Sequence, residues 1–145
     1  MRRTDQRRAA IFILYQHDVT GAPLAKLLEQ RVALPDDGRS AQTRSTLGEA
    51  VTGFTRELVE GVESVREELD ELIEEQAIGW HVERIAPLER AILRVALYEI
   101  MYRPDVPDEV AIDEAIENAK LYCGAQAPAF VNGILGGVLR KIKRD

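Results

Sequence analysis

The segment Leu88-Glu89-Arg90-Ala91-Ile92-Leu93-Arg94-Val95-Ala96-Leu97-Tyr98-Glu99-Ile100-Met101 constrains the fold more than any other. Pro87 opens it and suits a first helical position, where a missing N–H leaves no bond unmade. Apolar residues then fall on nearly every face instead of along one stripe. A helix that is apolar all round, yet too short to span a bilayer, belongs in a protein core. Other elements must cover it, and the remaining patterns are helical.

The spacing of Ile11, Leu14 and Tyr15, broadened by Phe12 and Ile13, predicts a first helix capped by Thr4 and ended by Thr20-Gly21. Pro23 opens a second, with Leu24, Leu27, Leu28 and Val32 inside. Leu34 to Ser40 reads as a loop. A third helix is expected from Ser45 to Gly61 through Leu47, Val51, Phe54 and Leu58. A fourth runs from Glu63 to Ile78, with Val65, Leu69, Leu72 and Ile73 inside and Glu67, Glu68, Glu71, Glu74 and Glu75 outside. Trp80 to Ile85 is a connector that can hold a short helical turn. After the core helix, Pro104 and Pro107 break the chain. A sixth helix carries Ala111, Ile112, Ala115, Ile116 and Ala119. Pro128 opens a seventh, with Phe130, Ile134 and Val138 on one stripe. No stretch alternates with a period of two, so the expected class is all-α, a compact bundle of about seven helices joined by short loops. Residues 1–145 are expected to form one domain.

Little catalytic chemistry is visible. His17 and His81 belong to no metal-binding spacing, so no metal or cofactor is expected. Cys123 is the single cysteine, which precludes an intramolecular disulfide and fits a reducing, cytoplasmic setting. Its expected state is a buried, inert side chain. Gly133-Ile134-Leu135-Gly136-Gly137 lacks the lysine and hydroxyl of a phosphate loop, and the simpler reading is close approach of helices. The glutamate pairs lie on a solvated helix face, which cannot separate two carboxyl pKa values for acid–base work. An enzyme is therefore not expected.

The distribution of charge says more than its sum. The net charge of −6 argues against indiscriminate nucleic-acid binding. Yet Arg2, Arg3, Arg7 and Arg8 gather at one end of the chain, and Arg140, Lys141, Lys143 and Arg144 at the other. Arginines beside the free N–H groups of a helix start can hold phosphate; a basic tail without a role is equally compatible with the pattern. For the C-terminal group, favourable placement at a helix C-terminus suffices.

The C-terminal half carries three ordered motifs. The first is Leu88 to Ile100, followed by Asp105-Val106-Pro107. The second is Val110-Ala111-Ile112-Asp113-Glu114-Ala115-Ile116-Glu117-Asn118-Ala119-Lys120. The third is Phe130-Val131-Asn132-Gly133-Ile134-Leu135. Together they resemble the NusB family of bacterial transcription antitermination factors. Gly133 after Phe-Val-Asn resembles the stand-alone factor; the related module of ribosomal-RNA cytosine methyltransferases tends to carry alanine there. The N-terminal half matches more loosely, through its basic start, Ala9-Ala10 and Leu14-Tyr15-Gln16.

The resemblance implies two small packed helical sub-bundles and a non-enzymatic adaptor of the transcription elongation complex. Members pair with NusE, a small-subunit ribosomal protein, and bind boxA-type single-stranded RNA in nascent transcripts such as ribosomal RNA. It implies an RNA surface at Arg2, Arg3, Arg7, Arg8 and Phe130, and a partner surface at Glu83 and Glu89. Arginine for phosphate and an aromatic ring for unstacked bases are the side chains such a site needs. Phe130 also fits the core, since it shares a stripe with Ile134 and Val138, and Glu83 and Glu89 also fit a solvated surface. Two departures stand out: Thr4-Asp5-Gln6 interrupts the basic run, and Ala125-Gln126-Ala127-Pro128-Ala129 is less polar than is usual before the phenylalanine. The competing reading is an RNA-independent interaction module or homodimer, suggested by the acidic net charge and the glycine-rich last helix. The arginines and Phe130 form one site only if the fold joins the first and last helices.

Overall fold

The computed structural model describes residues 2–29 and 53–143. Among these residues are α1 (Arg3–Thr20), α2 (Leu24–Glu29), α3 (Gly53–Ser64), α4 (Arg66–Gln76), α5 (Pro87–Tyr102), α6 (Asp108–Tyr122) and α7 (Ala127–Lys143), with a 3-10 turn at Val82–Arg84 and no strand. Val32, the loop from Leu34 to Ser40 and the expected start of the third helix lie outside the described residues.

Every described helix except α2 packs directly on α5. α1 joins α2 and α3 into one group, and α7 joins α4 and α6 into another. This is the expected all-α, two-group architecture. Residues Ala91 to Leu97 are buried without a break. Ile92, Leu93 and Leu97 meet a core that includes Leu58, Leu69, Ile73 and Leu135. Each such side chain contributes about 1.5–3 kcal/mol through its removal from water. Ile100, Val106 and Ala111 form a smaller apolar cluster that closes the α5–α6 turn.

Local signals explain most boundaries. Gly21 ends α1 in the left-handed conformation, with φ 76°, and its N–H donates to the His17 carbonyl. Pro87 stands in the first turn of α5, and Pro107 immediately precedes α6. One expected cap is different. α1 begins at Arg3, one residue before the expected cap, and the Thr4 hydroxyl donates to Glu114 at 2.7 Å in place of capping its own helix. The glycine-rich stretch also behaves differently. Gly133 has no neighbour where a β-carbon would stand, and only Gly137 makes a close approach to another helix, against the Gln76 side chain. A comparably close approach, against a rigid ring, is at Gly61, where α3 crosses the Tyr98 side chain of α5.

Three charges of the apolar core helix, Arg90, Arg94 and Glu99, are wholly or partly buried and paired. Arg94 donates from Nε and Nη2 to the two oxygens of Asp70, at 2.8 and 3.0 Å. Asp18, near the end of α1, accepts from Arg90 Nε at 3.1 Å and Arg66 Nη2 at 3.0 Å, with Arg94 at 3.6 Å. Burial pushes the Asp18 carboxyl up, but Arg90, Arg94 and Arg66 outweigh it and hold the group below its ordinary value.

Two predictions follow from this packing. Gly61→Ala should cost about 1–3 kcal/mol in urea denaturation, because a rigid ring must move. Gly137→Ala should be neutral or stabilising by up to about 1 kcal/mol, because the flexible Gln76 tail can swing aside while alanine favours the helix. Equal effects would overturn this distinction. Asp18→Asn should cost about 2 kcal/mol at neutral pH, as breaking a partly buried ion pair does. The folded state lowers the Asp18 pKa, so the contribution is present above the unfolded value of 3.8 and is lost as pH falls through the lower folded value. Denaturation curves of the two proteins should converge under strongly acidic conditions.

Candidate nucleic-acid interface

The four N-terminal arginines divide into two pairs. Arg2 and Arg3 are exposed. Arg2 Nε lies 3.4 Å from Asp5, and Arg3 Nη1 donates to Asp105 at 3.1 Å. Arg7 and Arg8 are only 4% and 0% exposed. Arg7 Nε donates to both carboxylate oxygens of Glu99, at 2.8 and 3.0 Å, and Arg7 Nη1 lies 3.8 Å from Glu114. Arg8 Nε donates to Asn118 Oδ1 at 2.9 Å. Both side chains thus bind α1 to α5 and α6. Burial pushes the Glu99 carboxyl up, against the opposing pull of Arg7.

Around Arg3 stands an arrangement that the sequence did not suggest. The Phe54 ring of α3 has three guanidinium groups near its centre: Arg3 at 4.4 Å, Arg103 at 5.1 Å and Arg7 at 5.6 Å. Arg103 also bonds Glu57 and grips Asp105 through two contacts of 3.0 Å. Hydrogen bonds from Arg103, and then Arg3, hold the Asp105 carboxyl down to about 2. Arg3 is therefore held in place by a ring and a carboxylate while keeping half its side chain in solvent.

Phe130 lies elsewhere. It is half-buried in the first turn of α7, packed against the main core on one side. On the other it lines a groove of about 540 Å³ with Trp80, Arg84, Ile85, Glu89 and Ala127. The groove is open at the N-terminal end of α5, whereas Arg7 and Arg3 bond to Glu99 and Asp105 at the C-terminal end. Ten helical residues separate Glu89 from Glu99, roughly 15 Å at the standard rise. α1 packs on α2, α3 and α5, and α7 on α4, α5 and α6. The fold therefore does not merge the arginines and Phe130 into one site; it sets them at opposite ends of α5.

The two acidic candidates also differ. Glu83 is exposed in the 3-10 turn, and its backbone carbonyl accepts from Arg90 at 3.0 Å. Glu89 is half-buried inside the groove, and burial pushes its carboxyl above the ordinary value. Trp80 was missed as a functional candidate. It follows Gly79, whose φ of 85° turns the chain out of α4, and it remains 55% exposed. A large aromatic just outside a periodic apolar pattern is the signal that could have found it.

Other groups are spoken for. Lys141 bonds Glu75, and Lys143 lies 3.6 Å from Asp108. His17 Nδ1 is 2.7 Å from the Ala22 carbonyl, and His81 pairs with Glu74 at 3.1 Å. Cys123 is half-buried, and burial plus nearby Glu89 push its thiol up to about 11, so thiolate is scarce. Among the described residues, no cluster of three or more His, Cys, Asp or Glu could hold a metal, and no helix is long and apolar enough to cross a membrane.

Fold and surface define an all-helical protein with a basic tip and a separate aromatic groove. The chain belongs to the NusB family, whose model matches residues 4–140. A transcription antitermination protein NusB from Symbiobacterium thermophilum is 43% identical over 99% of this chain and 92% of its own length. The corresponding protein from Rubrobacter xylanophilus is 42% identical over 98% and 93%. Among solved structures, NusB from T. maritima superposes with a TM-score of 0.77 at 30% identity, covering 97% of this chain and 92% of that one. An antitermination factor NusB solved with NusE and double-stranded RNA shares the fold, with a TM-score of 0.76 at 20% identity over 96% of each chain.

The Arg7–Glu99 pair supplies a test of the scaffold. Glu99→Gln leaves the buried guanidinium only the more distant carboxylate of Glu114 and should cost about 3–5 kcal/mol. Arg7→Met should be milder in acid, because Glu99 can then bind a proton and be buried neutral. Its stability should rise as pH falls toward mildly acidic values, measured by urea denaturation. A pH-independent Arg7→Met would contradict this assignment.

Proposed function

We propose that this chain is a non-enzymatic, cytoplasmic transcription antitermination factor, acting as a single domain that binds boxA-type single-stranded RNA together with NusE. The family match across residues 4–140 carries the reading, and curated relatives above 40% identity are antitermination proteins. The surface fits it. Arg2 and Arg3 are exposed cations suited to phosphate, and the exposed part of Phe130 suits a base. We assign Arg7 and Arg8 to holding α1 so that Arg2 and Arg3 are presented. Glu83, exposed on a pinned turn, is the better placed of the two acids for a basic ribosomal partner. An RNA strand touching both ends of α5 must run along the helix across several nucleotides. The alternative of an RNA-independent module loses part of its motive, since Gly137 is used inside the fold against Gln76.

Fluorescence anisotropy with boxA-type RNA, with and without NusE, tests the reading. Replacing both Arg2 and Arg3 by alanine should weaken binding and flatten the dependence of log affinity on log salt by about 0.7 per lost phosphate contact. Phe130→Ala should cost about 1–3 kcal/mol of RNA affinity with the fold retained. If that variant unfolds with its RNA affinity per folded molecule unchanged, Phe130 is a core residue only. If neither RNA nor NusE binds the intact chain, the function is wrong.

A further inference from the structure

The groove beside Phe130 contains more than the family resemblance pointed to. One wall comes from Gln126 to Phe130, at the start of α7. The other comes from Trp80, the 3-10 turn and the first turn of α5, and contributes Arg84 and Glu89. Two aromatic side chains from different segments therefore line one mostly apolar groove of about 540 Å³, roomy enough for a planar ring. Trp80 is more than half exposed, although burying an indole against the core would be favourable. Glu89 is half-buried in the same groove, and no cation pairs with it among the described residues. A carboxylate withdrawn from water without a partner is costly unless something else supplies hydrogen bonds.

We propose that this groove takes one guanine base of single-stranded RNA, with its ring against Trp80 and Phe130 and its Watson–Crick edge on Glu89. The inference rests on the RNA-binding reading above and deepens it. A carboxylate offers only acceptors. Guanine alone among the four bases presents two adjacent donors, N1–H and the N2 amino group, which match two carboxylate oxygens side by side. Uracil presents one donor between two acceptors, and adenine and cytosine one amino group beside an acceptor. Arg84 stands exposed at the rim with no ion-pair partner among the described residues. It suits the phosphate of the same nucleotide and disfavours a cationic side chain from a protein partner in the groove.

Trp80 is the only tryptophan of the chain, so its fluorescence reports on the groove alone. The intact protein is titrated with a short uridine-rich RNA carrying one guanosine and with the same RNA carrying inosine, which lacks the N2 amino group. Binding is followed by anisotropy of a labelled RNA and by Trp80 quenching, with and without NusE. The guanosine RNA should quench Trp80 and bind about tenfold more tightly than the inosine RNA, the usual worth of a hydrogen bond to a charged group. Glu89→Gln, which keeps the shape of the side chain, should erase most of that difference while leaving stability unchanged. Tight RNA binding without guanosine preference or Trp80 quenching would overturn the guanine site and leave RNA binding standing. Quenching by NusE alone, unaffected by RNA, would assign the groove to the protein partner and also overturn it. No anisotropy change with any RNA, with or without NusE, would overturn the RNA-binding reading itself.

Discussion

Arg7 donates to both oxygens of Glu99, and neither side chain reaches solvent. This pair solves a problem created by α5. A helix that is apolar on nearly every face has no preferred rotation, because hydrophobic attraction is non-directional. Directional bonds must choose the rotation and register. Arg7 and Glu99 do so at one end of the antiparallel α1–α5 contact, and Asp18 with Arg90 and Arg94 does so at the other. Burying these charges is expensive, and their value lies in penalising every other arrangement: a slipped register leaves charges unpaired in an apolar interior. Asn118 and Glu114 extend the same selection to α6 through Arg8 and Thr4.

That internal use of charge shapes the surface. Of the four arginines that start the chain, two are consumed in holding α1, and the exposed basic character narrows to Arg2 and Arg3. Even these are steadied, Arg2 by Asp5 and Arg3 by Asp105 and the Phe54 ring. Such contacts are weak at an exposed site, where solvent screens them. They reduce the freedom an arginine must give up on meeting phosphate, yet remain weak enough to be exchanged for it. In the proposed RNA-binding role, a protein with net charge −6 would offer phosphate these two exposed arginines while the rest of its surface resists indiscriminate binding.

The helical architecture was legible because prolines, glycines and apolar spacing agree at most boundaries. Pro87, the Pro104–Pro107 break and Gly21 each stand where a helix starts or stops. The burial of Arg7 and Arg8 was present in the pattern but easily passed over. Arg7, Ile11 and Leu14 follow helical spacing, as do Arg8, Phe12 and Tyr15, so both arginines continue apolar stripes into the bundle. Charge type suggested surface, and position specified interior. Contacts between distant segments were not legible at all. Nothing local ties Arg103 to Phe54, Gly61 to Tyr98, or Trp80 to Phe130, since each pair depends on how whole helices cross. Glu89 and Glu83 looked equivalent in sequence, and only the fold places one inside a groove and the other on an exposed turn.

The separation of the basic tip from the aromatic groove follows from the same core helix. Side chains that cover α5 along its length are committed to the interior. Functional side chains are left to the places where that cover ends, which are the two ends of α5. At its C-terminal end the cover gives way to the start of α1 and to Arg103, both charged. At its N-terminal end it gives way to the connector after α4 and the start of α7, which supply Trp80 and Phe130. A compact ligand could use one end only. A single strand of RNA is long, flexible and carries both phosphates and exposed base faces, so it can engage a cationic end and an aromatic end together. In the RNA-binding mode proposed above, the length of α5 would set the spacing between the nucleotide whose base meets the groove and the nucleotides whose phosphates meet Arg2 and Arg3.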